Sequence, residues 1–142
     1  MSRGTTLIEL ATVLLLMGLG GAVLLPVGSR IRNRIAVASA RESVAGLFAE
    51  ARSAAVLHGG SSVHLTDRPW RAWYEVSGIR RRSVHLEKDH SVSVIVDRGG
   101  SPYEVRFDAL GLGRAASSTL RFRRGAAEAG LTLSSYGRVR RW

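Results

Sequence analysis

The sequence lacks cysteine altogether, which excludes disulfide bonds, thiolate metal sites and cysteine nucleophiles. Aromatic residues make up only 6% of its 142 residues, so aliphatic side chains must fill the hydrophobic core. Acidic residues are scarce, because 11 of them stand against 21 basic residues and the formal net charge is +10. Lys88 is the single lysine, so arginine supplies nearly all of the positive charge. With 45% hydrophobic residues, the chain is predicted to fold as one basic domain rather than to form a disordered tail.

Signatures of catalytic and cofactor sites are also missing. The sequence has no His-Glu-x-x-His motif, no aspartate-rich metal loop and no Gly-x-Ser-x-Gly elbow. His85, Glu87 and His90 are close enough in sequence to share a metal ion, since residues 85 and 87 of a strand point to the same face. A solvent-exposed strand edge is the simpler interpretation of these residues. We therefore predict no catalytic residues, no metal site and no cofactor.

An apolar segment near the N-terminus dominates the hydropathy pattern. Residues 10–27 carry no charge, and 18 such residues are about the shortest stretch that spans a membrane as a helix. Arginines follow at positions 30, 32 and 34, where a secretory signal would place small residues for cleavage. The pattern predicts a retained transmembrane helix over residues 5–28, preceded by a short leader at residues 1–4.

Glu9 is the only ionisable side chain in that helix. One interpretation places its carboxylate at the level of the lipid headgroups, in the first helical turn, where the helix dipole favours a negative charge. The other interpretation is that Glu9 pairs with a cation supplied by another subunit, because an unpaired carboxylate in an apolar environment is costly. The local sequence leaves both open.

The residues around Glu9 carry a family resemblance. Gly4-Thr5-Thr6-Leu7-Ile8-Glu9-Leu10 resembles the prepilin cleavage motif of type IV pilins and type II secretion pseudopilins. The resemblance implies that a prepilin peptidase cuts between Gly4 and Thr5, and that Glu9 then drives subunit assembly by neutralising the new amine of a neighbour. It also implies a single-pass protein of the bacterial inner membrane with its C-terminal domain in the periplasm. The family usually has phenylalanine after the cut and methylates it, so the methylation of Thr5 is left open.

Beyond the apolar segment, the sequence period indicates first a helix and then a sheet. Apolar residues recur at steps of three and four over residues 29–58, which predicts an amphipathic continuation of the helix that ends at His58. Alternation then predicts a β domain over residues 59–142, with strands near 63–65, 70–76, 83–86, 92–96, 103–108, 119–124 and 131–136. Turns are predicted at residues 97–102, 111–113 and 125–130. The predicted fold class is α+β, a long N-terminal transmembrane and amphipathic helix packed on an antiparallel sheet.

The order of these predicted elements, a long helix followed by a β domain, makes the family resemblance more specific. Together with Phe-Asp-Ala-Leu-Gly at residues 107–111 and Gly-Arg-Val-Arg at residues 137–140, it resembles the GspH/FimT family of minor pseudopilins. The resemblance implies a minor pseudopilin of a type II secretion or type IV pilus system, acting in protein secretion. Such a subunit assembles with other pilins or pseudopilins into a filament tip or priming complex.

The C-terminal region is strongly basic, with six arginines and one glutamate in residues 121–142. Strand alternation places Arg121 and Arg123 on one face, and an unbroken strand through the last residues places Arg138, Arg140 and Trp142 on an exposed face. Arginines beside an aromatic ring are typical of nucleic-acid binders. A merely solubilising charged face explains the same composition. Some members of the resembled family bind DNA through a Gly-Arg-x-Arg motif, so the alternative function is a minor pilin that binds double-stranded DNA during natural transformation.

Overall fold

The structure is a computed structural model that describes residues 6–97, 101–113 and 117–142, with the side chains of residues 22–26 left undescribed. It divides into two units, Met1–Arg32 and Asn33–Trp142. The elements, in chain order, are α1 (Leu7–His58), β1 (Gly60–Asp67), β2 (Trp70–Val76), β3 (Ile79–His85), α2 (Leu86–His90), β4 (Ser93–Val96), β5 (Tyr103–Asp108), β6 (Ser118–Arg124), β7 (Ala127–Leu133) and β8 (Val139–Arg141).

The first unit contributes the N-terminal part of α1. Over the described residues, no helix combines the length and the hydropathy that a membrane crossing requires. Residue 5 and the side chains of residues 22–26 belong to the expected span at 5–28 and lie outside the described part. The transmembrane helix therefore stays a prediction.

In the second unit, α1 presents an apolar stripe to the core, as the sequence period predicts. Eight of its described side chains are no more than 2% exposed: Val37, Ala40, Val44, Ala45, Leu47, Phe48, Ala51 and Ala55. The helix ends at His58, as expected, because Gly59 follows with φ +83°, a left-handed conformation that favours glycine.

The strands form two four-stranded antiparallel sheets rather than the single sheet expected from the sequence. Their strand orders are β3-β2-β1-β5 and β4-β6-β7-β8. The consecutive strands β4 and β5 pair with different partners, since β4 pairs with β6 and β5 pairs with β1. The core joins α1 to both sheets. Phe48 of α1 packs edge-on against Phe107 of β5, with 6.4 Å between the ring centres. Phe122 of β6, in the other sheet, is fully buried.

The C-terminal strands differ from the expected pattern. The predicted turn at 125–130 is wrong, because β7 already begins at Ala127 and only Gly125 and Ala126 form the loop. The unbroken final strand is also wrong. The chain reverses after Leu133, and β8 runs back along β7 with Val139 opposite Leu133.

The region before β4 differs as well. Strand β3 begins at Ile79 rather than at residue 83, and Leu86 starts the short helix α2 instead of ending the strand. His85 and Glu87 therefore do not share a strand face. The carboxylate of Glu87 instead accepts a hydrogen bond from the Trp70 backbone at 3.3 Å.

Candidate functional site

The first candidate region is the start of α1 in the first unit. Glu9 lies in the first helical turn, and its backbone N–H donates to the Thr6 carbonyl at 2.9 Å. Its side chain is exposed, and no described residue forms an ion pair with it. The cleavage residues Gly4 and Thr5 lie outside the described residues, so the structure says nothing about them.

Large apolar side chains surround this carboxylate along the helix. Leu7 is 86% exposed and Ile8 is 74% exposed, and the same holds further along, where Leu14, Leu16 and Met17 are 60–70% exposed. A run of exposed leucines of this length marks a surface that another apolar phase or another protein covers. A single anionic group is thus set in an otherwise apolar helical surface.

The second candidate region is the outer face of the sheet β4-β6-β7-β8, opposite the core. The pairing register places Arg121 opposite Gly130, and hydrogen bonds in both directions join Gly130 to Trp142. Arg140 stands opposite Thr132 on the same face. Arg121, Arg140 and Trp142 therefore share a face through the β7–β8 hairpin, and not through the single strand that the sequence suggests.

The arginines of this face differ in their partners. Arg121 donates to the Asp97 carboxylate at 2.9 Å and 3.1 Å, and Arg123 pairs with Glu128 at 2.6 Å. Arg138 and Arg140 are exposed, and no side chain within the described ranges pairs with either. Arg138 and Arg140 thus form an unpaired arginine pair, which holds the uncompensated charge of this face.

The two acidic residues that neutralise Arg121 and Arg123 were not predicted from the sequence. Asp97 was expected in a turn and Glu128 within another turn. Once strand pairing is known, Glu128 is recognisable, because it stands directly opposite Arg123 in the β6–β7 ladder. The sequence does show an acidic residue close to a basic strand. That Glu128 pairs with Arg123 follows only once the β6–β7 hairpin is known.

Trp142 lies flat on the sheet over a position without a side chain. A Cβ atom on Gly130 would overlap the indole ring, so glycine is required beneath it. The indole N–H donates to the Thr132 hydroxyl at 3.2 Å, and 53% of Trp142 remains exposed. One ring face is therefore covered by the sheet, while the exposed remainder is open to a stacking partner.

Side chains of α1 hold the end of β8 in place. Arg41 donates to the Trp142 carbonyl at 3.1 Å, and Arg141 donates to the Glu42 carboxylate at 2.9 Å. These contacts come from the opposite face to the unpaired arginine pair. The strand that bears Arg140 is consequently fixed to the helix that forms the core.

Gly137 fixes the other end of the hairpin. It has φ +71°, and a Cβ atom there would lie 2.7 Å from the Gly111 carbonyl oxygen. The hairpin is closed by the Ser134 N–H, which donates to the Arg138 carbonyl at 2.9 Å, and by the Arg138 N–H, which donates to the Ser134 hydroxyl at 3.2 Å. The glycine of the Gly-Arg-Val-Arg sequence thus allows the hairpin to approach Gly111 closely. The two arginines of the same sequence lie exposed on the surface.

The described residues contain no group of three histidine or acidic side chains arranged to hold a metal ion. A cluster of aromatic and charged side chains lies on the other sheet, where His64 stacks on Trp73 at 5.3 Å and the guanidinium of Arg80 lies 4.5 Å from the Trp73 ring centre. Glu75 accepts the Trp73 indole N–H at 2.8 Å. Trp73 is therefore fully engaged within the protein.

Comparison with known proteins bears on the fold. No family model and no curated protein matches this sequence. Among solved structures, the chain is similar to the type IV minor pilin FimU of Pseudomonas aeruginosa PAO1, with a TM-score of 0.61, 75% of this chain and 87% of that chain covered, and 17% sequence identity. The chain has a pilin-like fold, a long N-terminal helix with an antiparallel β domain.

Proposed function

We propose that this protein is a minor pilin or pseudopilin of the GspH/FimT type, a subunit of a type IV pilus or type II secretion filament. The observation that carries the proposal is the coincidence of a pilin-like fold with the sequence Gly-Thr-Thr-Leu-Ile-Glu-Leu at residues 4–10.

The proposed mechanism uses the first unit for assembly. A prepilin peptidase removes residues 1–4 at the inner membrane, and the new amine of Thr5 faces Glu9 of a neighbouring subunit. Glu9 suits this role because it is exposed and no described residue pairs with it. Leaving one member of a buried ion pair unpaired costs about 3–5 kcal/mol, so the pairing would select for correctly seated subunits. The β domain would lie in the periplasm and contact other pilins.

Mass spectrometry of the membrane-extracted protein tests this proposal. Co-expression with a prepilin peptidase is expected to shorten the chain by residues 1–4, and Gly4→Leu is expected to prevent the cut. Glu9→Gln is expected to be cleaved normally but to be absent from sheared filaments, whereas Thr12→Ala, one turn further along α1, is expected to be cleaved and incorporated. An uncut wild-type chain, or normal incorporation of Glu9→Gln, would show instead a membrane-anchored domain that forms no filament.

A second candidate function is the binding of double-stranded DNA for natural transformation. The observation that favours it is the unpaired arginine pair, Arg138 and Arg140, on the same sheet as the half-exposed ring of Trp142. Arginine binds phosphate through two parallel hydrogen bonds, and both guanidinium groups are available for this. Arg121 and Arg123 would contribute only after exchanging Asp97 and Glu128 for phosphate.

A gel-shift titration across a salt series tests the second candidate. Each phosphate contact adds about 0.9 to the slope of log affinity against log salt. The double variant Arg138→Ala/Arg140→Ala is expected to flatten that slope by about 1.8, as two lost contacts require. The control Arg68→Ala/Arg81→Ala removes the same charge from two exposed sites away from this face, one in the turn between β1 and β2 and one on β3. Equal losses in the two double variants would mean that only net charge matters.

A further inference from the structure

A groove runs between α1 and β8 on the side of the second unit away from the unpaired arginine pair. Its volume is about 720 Å³. The helix side and floor consist of Ala45, Phe48, Ala49, Arg52, Ser53, Val56 and Leu57, and the strand side consists of Gly137, Val139 and Arg141. Small side chains at positions 45, 49 and 53 follow one line along the helix, so they leave room beside the strand.

The strand side of the groove is a free sheet edge. Strand β8 is last in the order β4-β6-β7-β8. The hydrogen-bonded pairs are Gly130 with Trp142 and Ser134 with Arg138, and the antiparallel alternation makes Thr132 and Arg140 the pair between them. The backbone N–H and C=O groups of Val139 and Arg141 therefore point away from β7, toward the open edge.

The charge of the groove is positive. Arg141 pairs with Glu42, a carboxylate that it shares with Arg41. Arg52 is exposed, and no acidic side chain in the described part of the chain pairs with it. Its side chain lies near the β7–β8 hairpin, since a Cβ atom on Gly137 would be 3.6 Å from Arg52 Nε. A ligand in the groove would thus meet apolar surface along its length and one free cation.

Exposed apolar side chains continue the groove at the same end. Val56 is 56% exposed and Leu57 is 78% exposed, and a Cβ atom on Gly111 would be 3.2 Å from Val56. Leu110 and Tyr136, each next to one of the two touching glycines, are 76% and 71% exposed. Contiguous apolar surface of this kind is typical of protein interaction sites.

We propose that this groove binds an extended segment of another protein, which adds to β8 as a further strand of the sheet. The segment would pair its backbone with Val139 and Arg141, place apolar side chains on alternate positions against Ala49 and Val56, and bring a carboxylate to Arg52. An extended backbone is required because a helix satisfies its own N–H and C=O groups and leaves those of the edge unpaired. From Ala45 to Leu57 the helix rises about 18 Å, at about 1.5 Å per residue. About five residues of a strand, at about 3.3 Å each, would therefore lie along the groove.

The experiment uses the full chain in detergent micelles and a panel of fluorescein-labelled ten-residue peptides in which valine or leucine alternates with aspartate, glutamate or serine. Fluorescence anisotropy measures affinity, and amide hydrogen exchange reports on Val139 and Arg141. We expect binders in the panel, slower exchange at both amides, and at least tenfold weaker binding when alternate peptide amides are N-methylated. Arg52→Glu is expected to weaken binding at least tenfold, whereas Arg81→Glu, the same charge change at an exposed site on β3, is expected to have little effect.

Several outcomes would overturn the proposal. They are a panel without any binder, equal binding of the N-methylated peptides, or equal binding of peptides with the same composition arranged at helical period. Equal weakening by Arg52→Glu and Arg81→Glu would show that only net charge attracts the peptides. Self-association that the peptides do not displace would identify a second copy as the occupant. The N-methylated peptides test the wild-type protein, so the result does not depend on the folding of a variant.

Discussion

Substitution of Gly137, the glycine of the Gly-Arg-Val-Arg sequence, tests whether this residue holds the β7–β8 hairpin against Gly111. Gly137→Ala faces two separate costs in this structure. Its φ of +71° is left-handed, which costs a non-glycine residue about 1–2 kcal/mol. The added Cβ would also lie 2.7 Å from the Gly111 carbonyl oxygen, a backbone atom that cannot rotate away. Overpacking of this kind costs about 1–3 kcal/mol, so the total destabilisation is expected to be about 2–5 kcal/mol.

Gly78→Ala provides the matched control. Gly78 has φ +76°, nearly the same backbone conformation, but a Cβ atom there would meet nothing within 4 Å. The control therefore carries the conformational cost of about 1–2 kcal/mol without the close contact. The difference between the two variants isolates the approach of the β7–β8 hairpin to the chain after β5.

Denaturant unfolding of the full chain in detergent, followed by circular dichroism, measures both variants. Gly137→Ala is expected to lose at least 1 kcal/mol more than Gly78→Ala, which corresponds to several degrees in Tm for a domain of this size. Equal losses at the two positions would refute the reasoning. They would mean that the hairpin is not held against Gly111.

Three further predictions follow from the described contacts. Asp97→Asn is expected to cost less than about 1 kcal/mol of stability, since exposed pairs contribute little. It is also expected to increase DNA affinity in a gel shift, because Arg121 then keeps only its longer contact of 4.0 Å with Glu128. Unchanged affinity would remove Arg121 from the interface. Burial raises the pKa of the Tyr103 hydroxyl. The stability that its neutral form contributes is therefore complete below pH 10 and is lost as pH rises through the raised value. Tyr103→Phe is expected to reduce this alkaline loss of stability in a pH series of unfolding curves. Phe48→Ala is expected to cost about 3–5 kcal/mol in denaturant unfolding, because its buried ring packs α1 against Phe107 of β5. A loss below about 1 kcal/mol would contradict that packing.

Helix α1 and strand β5 were predictable because a single sequence period runs through each of them. The helical stripe before His58 and the alternation of Tyr103, Val105 and Phe107 both agree with the structure. These three side chains of β5 are buried, and the two residues between them are exposed. Strand β7 was not predictable in the same way, since Ala-Glu-Ala-Gly at residues 127–130 has low intrinsic strand preference. Pairing with β6 imposes the strand there, and local sequence carries no information on that partner.

The candidate site was predictable in composition but not in charge balance. Alternation alone assigned Arg121 and Arg123 to one face. The sequence did not show that Asp97 and Glu128 come to lie beside them, because those contacts depend on the order of strands in the sheet. It also placed Gly137 in an unbroken final strand, and the close approach to Gly111 appears only when two distant loops meet.

The anchoring of the β7–β8 hairpin has a thermodynamic consequence for any ligand of Arg138 and Arg140. Ordering a loose loop on binding would cost about 1–2 kcal/mol of backbone entropy for each residue, in addition to the side-chain term. Here Gly137 is seated against Gly111 at one end, and Arg41 and Glu42 hold Trp142 and Arg141 at the other. A ligand therefore has to order two arginine side chains and no backbone. A larger part of the free energy of each new contact then contributes to the affinity.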